Sequence, residues 1–444
     1  MASTLKYIIE KQPKLVKKIA YKIIPFKYRY GKTYINFLSL LKDSNKWSYD
    51  EAINYQFLKL KNVLKEANEN IPYYTKLFKD IGFDYNIKNF DDIKNIPYLT
   101  KDIVIKNYNE LISKKYSGRR YDMNTSGSTG KRLSILGTDD LFKIECAFIT
   151  NAFNDHGAKL YQKHSVWIRR YSPSETDPIF LNDYELNRSY MSAFHLNDES
   201  IFSYVNYIND VKSEILVSYP STIYYLAVLC EKYNLELKNI KYIHGASEVC
   251  LPQWRTKIKE VFGVPIKMHY GQVEKVSFAH QDGEDDNYRE NLLYGFNEFT
   301  EDYSIIATGF YNDLMPLIRY KTNDKVILNN NIKREGAFPK IFKEFIGRDG
   351  DMLITEKDSL VPAVNFYSFM SKIKEVDLFQ IIQTKSTKSV DFFIVPNAQY
   401  NEKIYEKLIQ EMKNRLGEVN INLILVDELK RDETSNKMKT VSLI

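Results

Sequence analysis

The chain reads as an α/β protein with a large N-terminal domain of layered mixed sheets and helices, followed by a small α+β C-terminal domain. Three observations carry this. Residues 34–117 are mainly helical in pattern, with Ile53, Phe57, Leu60, Val63 and Leu64 forming a stripe of period 3.6. From about 119 to 325, short β-branched or aromatic runs alternate with helical stretches, the rhythm of a largely parallel sheet. After Gly347-Arg348 the pattern changes to strands flanking a single helix.

Taken in order, Pro72 and Pro97 break the first helical region, because a proline cannot continue a preceding helix. In the alternating region Ser165–Ile168, Glu214–Ser218, Tyr242–His244 and Ile266–His269 are predicted strands, and Ser221–Tyr233 and Pro252–Phe262 predicted helices. Gly263-Val264-Pro265 fits a helix that stops before the next strand. The last region predicts strands at Phe379–Gln383, Val390–Val395 and Asn422–Val426 around a helix at Glu402–Leu416. This divides the chain into an arm (1–34), a large domain (35–347) and a small domain (348–444).

At 444 residues, with 44% hydrophobic and 27% charged residues, the chain has an ordinary globular composition and room for more than one domain. It contains no uninterrupted apolar run of spanning length and no apolar leader at its start, which points to a cytoplasmic protein. Cys146, Cys230 and Cys250 lack any CxxC spacing and read as reduced core residues. Charge is uneven. Residues 1–33 hold nine Lys/Arg against one acidic residue, so with +6 on the whole chain the remainder carries only about −2. A body so near neutrality, without a basic stripe, excludes a nucleic-acid partner. In the arm, Leu5, Ile8, Ile9, Val16, Ile19, Ile23 and Ile24 recur at helical spacing among lysines. That pattern suits either a basic amphipathic helix on the anionic inner face of a membrane or a solvated helix packed on the main domain.

The segment Asn124-Thr125-Ser126-Gly127-Ser128-Thr129-Gly130-Lys131 concentrates hydroxyls and glycines in a way that lays backbone N–H groups against an anion. It is not a Walker loop, since Arg132 falls where that motif needs its second glycine before lysine. A plain turn has the same composition. Further along come His269-Tyr270-Gly271-Gln272-Val273-Glu274, Ile318-Arg319-Tyr320-Lys321-Thr322-Asn323-Asp324, Ile346-Gly347-Arg348-Asp349-Gly350-Asp351 and Thr434-Ser435-Asn436-Lys437. In this order the set resembles the adenylate-forming superfamily, whose signatures read TSGSTG, YGxTE, YRTGD, GRxDD and a terminal GK. Asn70-Ile71-Pro72-Tyr73-Tyr74, Ile96-Pro97-Tyr98-Leu99-Thr100-Lys101 and Leu251-Pro252-Gln253-Trp254-Arg255 narrow the likeness to the phenylacetate–CoA ligase branch and its CapK-type relatives, associated with surface polysaccharide biosynthesis. The resemblance spans about residues 35–444.

What the resemblance implies is an enzyme that uses ATP and Mg²⁺ to activate a small carboxylic acid as an acyl-adenylate. The acyl group then passes to CoA, a carrier protein or an amine. In that picture Thr125, Ser126, Gly127, Ser128, Thr129, Gly130 and Lys131 wrap the phosphates, with Thr129 also serving the chemistry. Glu274 holds Mg²⁺, a hard cation that suits carboxylate oxygen. Tyr270 stacks on adenine, Gly271 permits the approach, and Gly245, Ala246 and Ser247 line the adenine pocket. Asp324 accepts from the ribose hydroxyls, and Arg348 reaches ribose or phosphate. Lys437 is the catalytic lysine of the small domain, which is the mobile one in the family; Lys439 is its local competitor. For the acid itself, Trp167, Arg169, Arg170 and Tyr171 offer cationic and aromatic groups, although an ordinary strand end has the same composition.

The chain departs from the pattern at Val273, Asn323, Gly350 and Asn436, and Met352–Asp358 lacks the RG pair typical of thioester formation. Asparagine can take the left-handed conformation that the two replaced glycines imply. The absent RG pair bears on the CoA half-reaction and leaves open an amide- or ester-forming ligase without CoA; the changes at Asn323, Gly350 and Asn436 leave open a nucleotide-binding scaffold without turnover. Some relatives carry a Cys/His zinc site after YGxxE, but Ala279-His280-Gln281-Asp282 has no cysteine and predicts none.

Overall fold

A computed structural model describes residues 8–9, 11–124, 133–169, 179–193, 195–282, 285–333, 336–348, 352–358, 360–362, 366, 369–370, 373–430 and 440–444. Helices come first. Ser48 starts the long helix Tyr49–Asn70 with a reciprocal cap: Glu51 N–H donates to the Ser48 hydroxyl at 3.2 Å, and Ser48 N–H donates to the Glu51 carboxylate at 2.7 Å. Pro72 opens the next helix, Pro72–Ile81, where its missing N–H costs nothing, and Gly82 closes it at φ +65°. The segment Ile96–Leu99 then runs back to the large sheet, pairing through Leu99 N–H to Arg319 C=O and Lys321 N–H to Leu99 C=O, both 2.9 Å.

The strands are β1 (Arg120–Asn124), β2 (Ser134–Thr138), β3 (Ser165–Arg169), β4 (Phe180–Asp183), β5 (Arg188–Ser192), β6 (Ile215–Ser218), β7 (Tyr242–Ala246), β8 (Ile266–Gly271), β9 (Phe278–Gln281), β10 (Tyr288–Glu290), β11 (Gly295–Phe299), β12 (Ser304–Gly309), β13 (Tyr320–Lys333) and β14 (Lys340–Arg348). Apart from the β1–β2 hairpin they make one sheet, ordered β11-β12-β13-β14-β10-β9-β8-β7-β6-β3-β5-β4. The four predicted strands and two predicted helices of this region appear, the helices as Pro220–Lys232 and Pro252–Phe262.

One expectation needs correcting. Among the described residues only β5-β3-β6-β7-β8 run parallel; every other pairing between these strands is antiparallel. The helices that would carry parallel crossovers stop at Phe262, and strands that follow one another without a crossover pair antiparallel. The parallel strands are covered on both faces, so β6 is buried at all four positions.

The small domain adds β15 (Met352–Ile354), β16 (Leu360–Pro362), β17 (Val376–Gln383), β18 (Val390–Pro396), β19 (Ile421–Leu425) and β20 (Val441–Leu443). Its sheet is ordered β19-β18-β17-β20, with the helix Glu402–Leu416 burying Leu408, Met412 and Leu416. Asn401 caps that helix, and Gly417 at φ +81° ends it. Tyr224 of the large domain donates its hydroxyl to the Asp377 carbonyl of the small one at 2.9 Å.

Candidate active site

In an open α/β sheet, ligands collect where the carboxyl ends of parallel strands leave a crevice. Here β7 ends at Gly245-Ala246 and continues into Ser247 at φ +74°, while β8 ends at Tyr270-Gly271. Their register sets Gly245 beside Met268 and Ala246 beside His269. Beneath them His244 Nε2 and His269 Nδ1 share a hydrogen bond of 2.7 Å. Burial pushes the His269 imidazole down to about 3 and His244 well below its ordinary value, so both rings are neutral at pH 7.

The predicted nucleoside residues come together. Tyr270 donates its hydroxyl to Asp324 Oδ2 at 2.7 Å, joining β8 to β13 across 54 residues of sequence. Gln272 in turn donates its side-chain amide to the Tyr270 oxygen. Asn323, standing where the family has glycine, adopts φ +62° as its side-chain type permits. That turn lets the Asp324 N–H donate back to the Thr322 hydroxyl at 3.1 Å. Asp324 lies opposite Arg348 in the β13–β14 register; the Arg348 side chain is outside the described part. Glu274 is buried beside Tyr320, whose hydroxyl donates to its Oε1 at 3.2 Å. A buried carboxylate is the donor chemistry a small hard cation takes, so Glu274 fits the Mg²⁺ assignment.

The two glycines differ. A Cβ at Gly245 would stand 2.5 Å from the Met268 sulfur and 2.9 Å from Ile266 Cδ1, so a side chain there would push the ends of these two buried side chains aside. A Cβ at Gly271 would meet Phe278 at 3.7 Å and the Ser277 carbonyl at 3.9 Å, ordinary contacts.

Sequence reasoning missed Phe345, which stacks on the Tyr270 ring at 4.0 Å and 18° and takes one of its two faces. It lies in β14, 75 residues from Tyr270, with no spacing signature to announce it. The anchoring roles of Tyr320 and Gln272 were also unforeseen, though both sit inside quoted motifs. For the acid, Arg169 at the end of β3 lies over the Tyr219 ring at 4.6 Å, and its Nε makes no hydrogen bond among the described residues. Trp167 instead turns its indole N–H to Ser165 at 3.0 Å. Arg170 and Tyr171 lie outside the described residues.

So do Thr125, Ser126, Gly127, Ser128, Thr129, Gly130 and Lys131, and so do Lys437 and Lys439. What is described is how their flanks are held. β1 and β2 pair with Asn124 opposite Ser134. Lys430 and Thr440 are both tied to β17, through Gln380 Nε2 to the Lys430 carbonyl at 3.2 Å and Ile381 N–H to the Thr440 carbonyl at 2.8 Å. Among the described residues no cluster of three His, Cys, Asp or Glu has the arrangement of a metal site. A groove of about 970 Å³ opens elsewhere, along Phe90, Lys94, Tyr98, Phe296, Glu298 and Arg319; its charged wall is an ion pair already satisfied.

Comparison with known proteins gives three findings. Residues 353–442 match the CapK C-terminal domain. Protein CapK of Staphylococcus aureus is 26% identical over 426 residues, covering 93% of both chains. The fold is shared with 2-hydroxyisobutyryl-CoA ligase in the postadenylation state: its complex with R3-HIB-AMP aligns at a TM-score of 0.69 and 14% identity over 88% of each chain. The complex of the same ligase with 2-HIB-AMP gives 0.66 at the same identity and coverage. The chain is thus CapK-like, with the α/β architecture of acyl-CoA ligases of the adenylate-forming type.

Proposed function

We propose that this protein is an ATP-dependent adenylate-forming ligase that activates a carboxylic acid in surface polysaccharide biosynthesis. The observation that carries the reading is the 2.7 Å hydrogen bond from Tyr270 to Asp324, which gathers two separately predicted nucleoside contacts at the carboxyl ends of the parallel strands. A substrate carboxylate oxygen attacks the α-phosphorus of ATP; the bond to the bridging oxygen breaks, and pyrophosphate leaves with that oxygen and its electron pair. Asp324 orients the ribose, its carboxylate accepting from the hydroxyls. Tyr270, with Phe345 behind it, presents a rigid platform to the base. Thr125 to Lys131 donate to the phosphates, and Lys437 meets the negative charge that builds between carboxylate and α-phosphate. Glu274 would hold Mg²⁺, which would supply positive charge to the phosphates.

The acceptor is a nucleophile, the thiol of CoA or of a carrier, or an amine. The absence of the RG pair favours an acceptor other than CoA. Arg169, half-buried and with its Nε unbonded among the described residues, suits an acid with a second anionic or polar group.

The test is ATP–pyrophosphate exchange over a panel of aromatic, hydroxy and amino acids. Exchange should depend on one acid and fall by about 100-fold or more in Glu274→Gln, with thermal stability unchanged. Equal loss of stability and exchange would make Glu274 structural, and failure to bind ATP would remove the nucleotide site altogether.

A further inference from the structure

The helix Lys14–Ile23 is docked with its apolar stripe outward. Tyr21 is buried against the body, whereas Leu15, Val16, Ile19 and Ile23 are 69%, 45%, 50% and 71% exposed. At helical spacing these four fall within one arc of about 100°, roughly opposite Tyr21. The inward side is well fastened. The Lys18 ammonium lies over the Tyr184 ring at 5.2 Å, and beyond Pro25 the Phe26 ring stacks on Tyr161 at 4.1 Å and on Tyr30 at 3.9 Å. Tyr30 donates to Glu185 Oε1 at 2.9 Å, and Arg29 Nε donates to the Ile24 carbonyl at 2.9 Å. The core therefore does not need the outward face, and the body holds it in view.

Charge selects what covers it. The stripe sits in a segment with nine basic residues and one acidic residue, on a chain whose remainder is near neutral. A second copy would bring like charge against like charge. A bilayer with anionic headgroups answers both features, its phosphates meeting the net positive charge of the arm and its acyl boundary taking Leu15, Val16, Ile19 and Ile23. At about 15 Å the ten-residue helix is half the thickness of a hydrocarbon core, so it lies in the interface plane. No described helix is long and apolar enough to cross a membrane. We propose that the helix Lys14–Ile23 docks this protein on an anionic lipid surface, a reading independent of the ligase assignment.

Co-sedimentation of the full-length protein with phosphatidylcholine vesicles, with and without about one third phosphatidylglycerol, tests it. Binding should require the anionic lipid, fall several-fold at about 0.5 M salt, and fall at least about tenfold in Ile19→Glu/Ile23→Glu. Leu15→Ser/Ile23→Ser, which leaves charge unchanged, should also weaken it, and the melting temperature of both variants should match the parent, since the replaced groups are exposed. The proposal is overturned if the parent protein stays in the supernatant, or if either variant binds as the parent does. It is equally overturned if the parent is a dimer that the substitutions convert to monomers, because the face would then belong to a second copy.

Discussion

Arg319 shows how a residue inside a motif of the proposed nucleotide site can serve the scaffold. Its Nε and Nη2 grip both oxygens of Glu298 at 3.0 and 2.7 Å, while Nη1 donates to the Lys94 carbonyl at 2.8 Å and to that of Ile96. The pair is 6% and 11% exposed, so removing one partner strands a buried charge. Arg319→Ala should cost about 3–5 kcal/mol in urea melts. Arg319→Lys should recover only part of it, because an ammonium cannot reproduce the planar fork. A full-strength melt with lost activity would instead make Arg319 a substrate ligand. At this scale the sequence was informative where a motif residue meets another motif residue, as Tyr270 meets Asp324. It was silent where the partner is a lone aromatic such as Phe345, whose only signal is three-dimensional.

The ends of β7 and β8 carry a sharper contrast. A methyl group at Gly245 would crowd the side-chain ends of Met268 and Ile266, whereas the space around Gly271 accommodates one. Gly245→Ala should therefore destabilise by about 1–3 kcal/mol through overpacking. Gly271→Ala should leave the melt within about 0.5 kcal/mol yet weaken ATP binding by about tenfold, the scale of one good contact. Isothermal titration and denaturant melts on the pair separate the two roles, and a destabilised Gly271→Ala with unchanged affinity would reverse them. Elements were legible where period and punctuation agree. Pro252 and Gly263 bracket a helix, and Asn401 and Gly417 bracket another. The antiparallel half of the sheet was less so, since strands β9 to β14 follow one another without helices and only that absence marks their direction.

Stability of the whole molecule should follow the histidines packed under the site. Four of the six gather there: His244 and His269 in their 2.7 Å bond, His156 beside His244 with ring centroids 6.1 Å apart, and His280 against Asp155 at 2.8 Å. Arg169, Lys267 and Lys275 act on them as cations that oppose protonation, while Asp155 favours it at His156. Burial is the main cause that pushes His156 down to about 4, His269 to about 3 and His244 well below its ordinary value. The sign follows from linkage. Below about pH 6.5 the unfolded chain takes up protons that the folded chain refuses, so stability is complete above that pH and drains as pH falls toward the folded values. Each such histidine contributes a slope of about 1.4 kcal/mol per pH unit once its unfolded form is charged. Three together approach about 4 kcal/mol per unit, enough to exhaust an ordinary margin of about 5–15 kcal/mol within a few units. Urea melts should be nearly flat from pH 8 to 7 and fall steeply between pH 6.5 and 5. His156→Gln should lower the slope by about one proton, because it removes one titrating ring while leaving the His244–His269 bond in place. Stability that stays level down to pH 5 would mean these rings are charged or solvated in the native protein.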